Sequence, residues 1–335
     1  MKKKILVTGS AGFIGYHVSK KLLESGWSVF GIDNLNSYYS VQIKKNRIRE
    51  LTKNVRFKFK RIDLMNYKKI YKFVSANNIK IIVHLAAQAG VRYSITNPMA
   101  YVKSNLIGFT NILEVSRRCN CKHLIYASTS SVYGASINSP YKENNIASHP
   151  VAFYGATKRS NELMAHSYSY MYKLPTTGLR FFTVYGPWGR PDMSLFIFVK
   201  NILNNKPINI FNRGDHTRDF TYVEDVSESI KRLINKPPKI TKKNKFDDPS
   251  TSSAPYRILN IGNSKKINLM QYVRTIEEIL KKKAKIKFLP MQKGDIKSTL
   301  GNNLKLKKLI NFSPNTKVGF GIKKFINWYL NYFKK

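Results

Sequence analysis

Apolar and polar positions along this chain alternate between two textures. Short runs of strand type occur at residues 4–8, 28–32, 55–62, 80–85, 123–128 and 174–182, the pattern of strands covered on both faces. Between them apolar residues recur at helical spacing. One such stretch passes through Leu22 and Leu23 to Gly26, and others span residues 65–76, 98–118 and 154–172. Strand and helix in turn predict an α/β fold with a doubly wound parallel sheet of Rossmann type.

After residue 182 the texture changes. Gly186-Pro-Trp-Gly-Arg190-Pro-Asp192 reads as a rigid turn, with Asp192 placed to cap the next helix. A short strand at 208–211, a hairpin-like segment at 214–222 and a helix at 224–234 follow. The polar stretch 236–255 predicts an exposed loop. Beyond it the pattern predicts strand 257–261, helix 269–282, strand 285–289 and an amphipathic helix at 320–333. The expected organisation is a dinucleotide-binding domain over 1–182, to which residues 220–236 return, and a smaller α/β substrate-binding lobe over 183–335.

Composition narrows the class. The 335 residues are 42% hydrophobic and 13% aromatic, enough for a large core. Net charge is +41, but the lysines are scattered, with only short runs such as Lys242-Lys243 and Lys281-Lys282-Lys283. That spread predicts attraction of anionic substrates without specific nucleic-acid binding. Two cysteines, Cys119 and Cys121, make neither a metal cluster nor a disulfide framework, so no metal is expected and the chain reads as cytoplasmic. No long apolar run predicts a membrane span.

Candidate chemistry sits at strand ends. Gly9-Ser-Ala-Gly12-Phe13-Ile14-Gly15 follows a strand and opens a helix. There, backbone N–H groups and the helix dipole suit a pyrophosphate. Asp33 ends the second strand, where a carboxylate bonds ribose hydroxyls and repels a 2′-phosphate, so NAD is expected rather than NADP. Tyr154 and Lys158 lie one helical turn apart. An ammonium beside a phenol lowers its pKa, which would let Tyr154 act as a base toward a sugar hydroxyl. Ser128-Thr129-Ser130-Ser131 ends the fifth strand, on the ligand side of such sheets.

The motifs TGSAGFIG, HLAAQAG, STSSVYG, YxxxK and RDFTYVED together resemble the extended short-chain dehydrogenase/reductase family. DNLNSYY, HLAAQAGVRYS and LRFFTVYGPWGRPDM look most like its NAD-dependent UDP-glucuronate 4-epimerases. The resemblance implies Tyr154 as base, Lys158 as its tuner and ribose ligand, and Thr129 as holder of the hydroxyl on sugar carbon 4. It implies cofactor contacts from Gly9, Gly12, Phe13, Ile14, Gly15, Asp33, Asn34 and Asn36. Asp63, Leu64, Leu85, Ala86, Ala87 and Asn105 extend that set. On the UDP-sugar side it implies Arg92, Ser130, Ser131, Thr183, Arg190, Arg218, Gln292 and Asp295, with Arg190 on the sugar carboxylate and Arg218 on the diphosphate. A homodimer through helices 98–118 and 152–172, and a place in surface polysaccharide synthesis, follow from the same resemblance.

The implied cycle oxidises carbon 4 and reduces the 4-keto sugar from its other face. Related decarboxylases and dehydratases carry carboxylates where Ser130 and Ser131 stand here, so the resemblance favours epimerisation with the acid retained. Gly301-Asn302 departs from the family's Ala-Asp, which puts a helix start or packing contact in doubt. Epimerisation of another UDP-sugar is the alternative enzyme reading. A non-catalytic nucleotide-binding protein is the other class, and it has no need of the Thr129, Tyr154 and Lys158 set.

Overall fold

The computed structural model describes residues 3–136, 138–241 and 248–334. Strand β1 (Lys4–Thr8) is central, and its Ile5, Leu6 and Val7 are fully buried, as a strand covered on both faces must be. The chain continues through α1 (Phe13–Glu24), β2 (Ser28–Asp33), α2 (Val41–Thr52), β3 (Phe57–Arg61), α3 (Tyr67–Ala76) and β4 (Ile81–His84). Short α4 (Tyr93–Thr96) and α5 (Pro98–Tyr101) lead through a π-helical stretch (Val102–Ile107) into α6 (Gly108–Arg118). Then come β5 (His123–Thr129), a 3-10 turn (Ser130–Tyr133), α7 (Phe153–Tyr172) and β6 (Thr176–Phe181). The remainder is β7 (Thr183–Tyr185), α8 (Ser194–Leu203), β8 (Ile208–Phe211), β9 (Thr217–Tyr222), α9 (Val223–Leu233), β10 (Tyr256–Ile261) and β11 (Lys266–Asn268). It closes with α10 (Leu269–Leu280), β12 (Ile286–Leu289), α11 (Leu304–Ile310) and α12 (Val318–Phe333).

Seven strands form one sheet in the order β10-β6-β5-β4-β1-β2-β3, each neighbouring pair parallel. The expected doubly wound α/β sheet is therefore the observed one. Strand order reverses between β1 and β4, which opens a crevice at their carboxyl ends. Two small sheets, β11-β9-β7 and β12-β8, stand beyond it. After residue 183 the chain returns to the large sheet twice. Helix α9 packs on α1, and β10 adds an edge strand, a return beyond the one expected at 220–236.

Three expectations change. The helix expected over 98–118 is interrupted by its π stretch, which turns Asn105 into the protein at 1% exposure. The third strand starts at Phe57, because Asn54 accepts from the Phe57 and Arg56 N–H groups and turns the chain, leaving Val55 94% exposed. The 236–255 loop is not wholly exposed. Ser250 and Ala254 are buried, and Ser250 O accepts from Ile258 N at 2.8 Å; residues 242–247, with the Lys242-Lys243 run, lie outside the described residues. The contact in doubt at Gly301-Asn302 is kept. Gly301 N donates to Asp219 Oδ2 at 3.1 Å, and Asn302 Oδ1 accepts from Leu304 N at 2.9 Å, opening α11.

Candidate active site

The crevice is a cavity of about 1020 Å³ lined from the ends of β1, β2, β4, β5 and β6 and from the second half of the chain. That is the upper end of what one small-molecule site occupies. Its floor is the glycine turn. Gly9 has φ +71°, and a Cβ there would stand 2.7 Å from Ala86 N, so the turn closes onto the end of β4 only with glycine. Gly12 N donates to Gly9 O at 2.8 Å. No side chain caps α1, and no acid stands in its first turn, so its N-terminal N–H groups and dipole are left for an anion. This donor set fits the pyrophosphate of a dinucleotide.

Asp33 accepts from Leu35 N at 2.8 Å. Burial pushes its carboxyl up, against the Leu35 N–H and the Lys44 charge, which pull it down. Lys44 is buried, donates at 2.7 Å to both Asn36 O and Asn36 Oδ1, and has its pKa lowered to about 8 by burial. Asp63 is engaged by Asn34 Nδ2 and Met65 N, each at 2.8 Å. All of Gly9, Gly12, Phe13, Ile14, Gly15, Asp33, Asn34, Asn36, Asp63, Leu64, Leu85, Ala86 and Ala87 line the cavity.

Tyr154, Lys158 and Thr129 meet on the same wall. Lys158 Nζ donates to Ala127 O at 2.9 Å, and burial lowers its pKa to about 8. Burial pushes the Tyr154 phenol up, while the Thr129 hydroxyl and the Arg190 charge pull it down. The Lys158 ammonium is bonded to the β5 backbone, and the Thr129 hydroxyl and the Arg190 guanidinium are the groups that favour the phenolate. Below this cluster Ser128 donates to Glu162 Oε1 at 2.6 Å, and Arg180 grips Glu162 with two bonds of 2.9 Å. This fixes α7, one turn past Lys158, to the ends of β5 and β6.

On the far side Ser130, Ser131, Thr183, Arg190, Arg218 and Asp295 line the cavity. Thr129 Oγ1 accepts from Ser131 N at 3.2 Å, capping the 3-10 turn. Arg218 Nη2 lies 3.1 Å from Asp295 Oδ1. Arg190 pairs with Asp192 through Nε–Oδ1 at 3.0 Å and Nη2–Oδ2 at 2.5 Å, and Tyr38 donates to the same carboxylate at 3.1 Å. Asp192 thus does not cap α8, whose N-cap is Met193 with no side-chain bond; the guanidinium competes better for the carboxylate.

Three expected residues do not line the cavity. Asn105 stands behind it, with Oδ1 accepting from Gln88 N at 2.9 Å and Nδ2 donating to Gln88 O and Thr157 Oγ1. Arg92 stacks over the Phe211 ring at 4.9 Å. Gln292 has its Oε1 buried without a partner among the described residues. Tyr38 and Lys44 line the cavity and escaped the sequence reading. The signals were the DNLNSYY motif, which contains Tyr38, and, for Lys44, a helical pattern over 41–52 that brings Ile43 and Leu51 to the core.

The comparisons with known proteins agree with this geometry. The NAD dependent epimerase/dehydratase family matches residues 5–248. Protein CapI of Staphylococcus aureus is 50% identical over 99% of this chain and 100% of its own length. A probable UDP-glucuronate 4-epimerase of Rhizobium meliloti is 44% identical over 97% of this chain and 96% of its own. The solved UDP-glucuronic acid 4-epimerase of Bacillus cereus, in complex with UDP-glucuronic acid and NAD, superposes with a TM-score of 0.88 at 33% identity, covering 98% of this chain and 99% of that one. This chain therefore belongs to the NAD dependent epimerase/dehydratase family.

Proposed function

We propose that this chain interconverts UDP-glucuronate and UDP-galacturonate by inverting sugar carbon 4, with NAD as its resident cofactor. One observation carries the reading. The Thr129, Tyr154 and Lys158 cluster shares a cavity with the glycine turn and with a row of neutral hydroxyls, Ser130, Ser131 and Thr183. The Bacillus cereus relative, bound to UDP-glucuronic acid and NAD, supports the same ligand pair.

NAD, when bound, exchanges hydride with carbon 4. The uncapped N-terminus of α1 would hold its pyrophosphate, Asp33 its adenosine ribose, and Lys158 with Tyr154 its other ribose. Tyr154 takes the proton from the carbon-4 hydroxyl and later returns it, a transfer within reach of a positioned phenol. Thr129 orients that hydroxyl and favours the phenolate. Arg218 would hold the diphosphate, since a guanidinium fork matches phosphate oxygens, with Asp295 beside it.

The sugar carboxylate meets hydroxyl donors. Among the described residues, the acids lining the cavity are Asp33, Asp63 and Asp295, and none replaces Ser130 or Ser131. No carboxylate there assists proton loss at carbon 5 or repels the substrate acid, so the acid is retained. We place the reaction in the cytoplasm, where the buried free thiols Cys119 and Cys121 stay reduced, upstream of transfer into surface polysaccharide. No helix among the described residues is long and apolar enough to cross a membrane.

The test is purified protein incubated with UDP-glucuronate, the products being resolved by chromatography. UDP-galacturonate is expected. Tyr154→Phe should lose on the order of 10²–10⁴-fold in kcat, the usual contribution of a positioned acid–base group. Release of carbon dioxide with a UDP-pentose would overturn the argument from the serines. No conversion by protein that holds NAD would overturn the substrate assignment.

A further inference from the structure

The loop from Gly186 to Asp192 brings Arg190 to the cavity, yet it is held from the nucleotide side. Three successive carbonyls in it, those of Pro187, Trp188 and Gly189, face side chains of α1 and α2. His17 Nε2 on α1 lies 2.8 Å from Pro187 O. Arg47 on α2 donates from Nη2 to Trp188 O at 2.5 Å and Gly189 O at 3.3 Å. Its Nη1 donates to Ala11 O and to the Tyr39 hydroxyl, each at 2.8 Å. Ala11 belongs to the glycine turn. Tyr39 follows Tyr38, whose hydroxyl bonds the Asp192 carboxylate gripped by Arg190.

A single guanidinium therefore joins the glycine turn, the 36–39 segment and the 186–192 loop. Packing alone does not explain it. Arg47 is 0% exposed, and its Nε is buried without a partner among the described residues. Burying a cation is costly unless its geometry is used, and here the planar fork serves acceptors on both sides. The loop also needs holding. Trp188 has φ +58°, a left-handed backbone that a bulky side chain adopts only when its surroundings impose it.

We propose that Arg47 is a positioning residue for sugar recognition, setting the 186–192 loop, and with it Arg190, Asp192 and Tyr38, against the sugar end of the cavity and tying that arrangement to the glycine turn. The proposal rests on the reading that a UDP-sugar occupies this cavity. Arg47 itself touches no reacting atom.

Two variants test it. Arg47→Lys keeps the charge, but its single terminal nitrogen cannot serve four acceptors; Arg47→Met keeps an unbranched apolar stem and removes the charge and the fork. Fluorotryptophan placed at Trp27, Trp188 and Trp328 lets fluorine NMR report the loop. Trp27, 6% exposed in the core, is the folding control. The Trp188 resonance should move in both variants while that of Trp27 stays. Calorimetric affinity for UDP, which lacks the sugar, should stay at the wild-type value. The kcat/KM for UDP-glucuronate should fall on the order of 100-fold, the usual consequence of misplacing a binding group by about 1 Å. In an Arg190→Met background, Arg47→Met should add no further loss. An unmoved Trp188 resonance, or equal losses for UDP and UDP-glucuronate, would overturn the proposal. Absence of turnover in the wild type would instead sink the functional reading, and the Trp188 resonance would then decide the role of Arg47 by itself.

Discussion

Lys158 has 1% of its surface exposed and donates to the Ala127 carbonyl at 2.9 Å. Burial lowers its pKa from 10.5 to about 8, which corresponds to roughly 3 kcal/mol against the charged form. The sign follows from linkage. Between about pH 8 and 10.5 the unfolded chain holds this proton and the folded one does not, so stability rises with pH across that window. Below about 8 the full penalty stands. Lys158→Met should therefore raise the unfolding free energy at pH 7, by a few kcal/mol at most once the lost hydrogen bond is counted, and with it the urea midpoint. It should also remove the wild type's extra gain in stability between pH 8 and 10, while abolishing turnover. Unfolding curves at both ends of the window check it, and an unchanged midpoint with an unchanged pH slope would refute it. Function here is held at the expense of stability. The identity of Lys158 and its one-turn spacing from Tyr154 were legible in the sequence. Where its ammonium points was not, because that depends on how far β5 stands from α7.

At the scale of elements, the Glu162–Arg180 pair joins α7 to β6, with both side chains 0% exposed. Burial alone would raise the Glu162 carboxyl, but the Arg180 guanidinium and the Ser128 hydroxyl outweigh it and hold it below its usual range. Its contribution is thus present above the ordinary carboxylate pKa and lost as the pH falls through the depressed one. Arg180→Met leaves Glu162 with the Ser128 hydroxyl and, for a cation, the partly exposed Arg159 at 2.9 Å, and should cost about 3–5 kcal/mol. Adding Glu162→Gln should recover part of that loss, which denaturant unfolding of the single and double variants measures; strict additivity would mean that the two do not act as a pair. Elements with long periodic patterns, such as α7 and α12, were legible to within a few residues. Strands β7 and β11, three residues each, were not. Their pairing with β9 comes from distant chain, and three residues carry no period of their own.

The whole molecule presents an apolar stripe on α7. Leu163 and Tyr170, each 57% exposed, lie two turns apart on one face of α7, and the π-helical stretch that packs on α7 ends at Ile107, 42% exposed. Exposed apolar side chains grouped on one helix face can mark an interface, and we propose that this face pairs two copies of the chain. Leu163→Glu should convert the dimer to monomer in sedimentation at micromolar concentration with the fold intact. A wild type that is already monomeric there would remove the proposal. The +41 charge acts at this scale too. Capture of the anionic substrate should slow as salt rises, because screening shortens the reach of scattered lysines.

Local chemistry written in order along the chain was determined by the sequence alone: the alternation of strands and helices, the glycine turn, Asp33, and Tyr154 one turn before Lys158. Each of these depends on residues a few positions apart, where propensity and spacing act directly. Only the tertiary structure decided that Asp192 takes Arg190 instead of capping α8, that Asn105 stands behind the cavity wall, and that Arg47 reaches from α2 to the turn at Trp188. Those contacts join residues brought together by packing, and the competition for each buried donor and acceptor is settled by whichever partner the fold delivers within 3 Å or so.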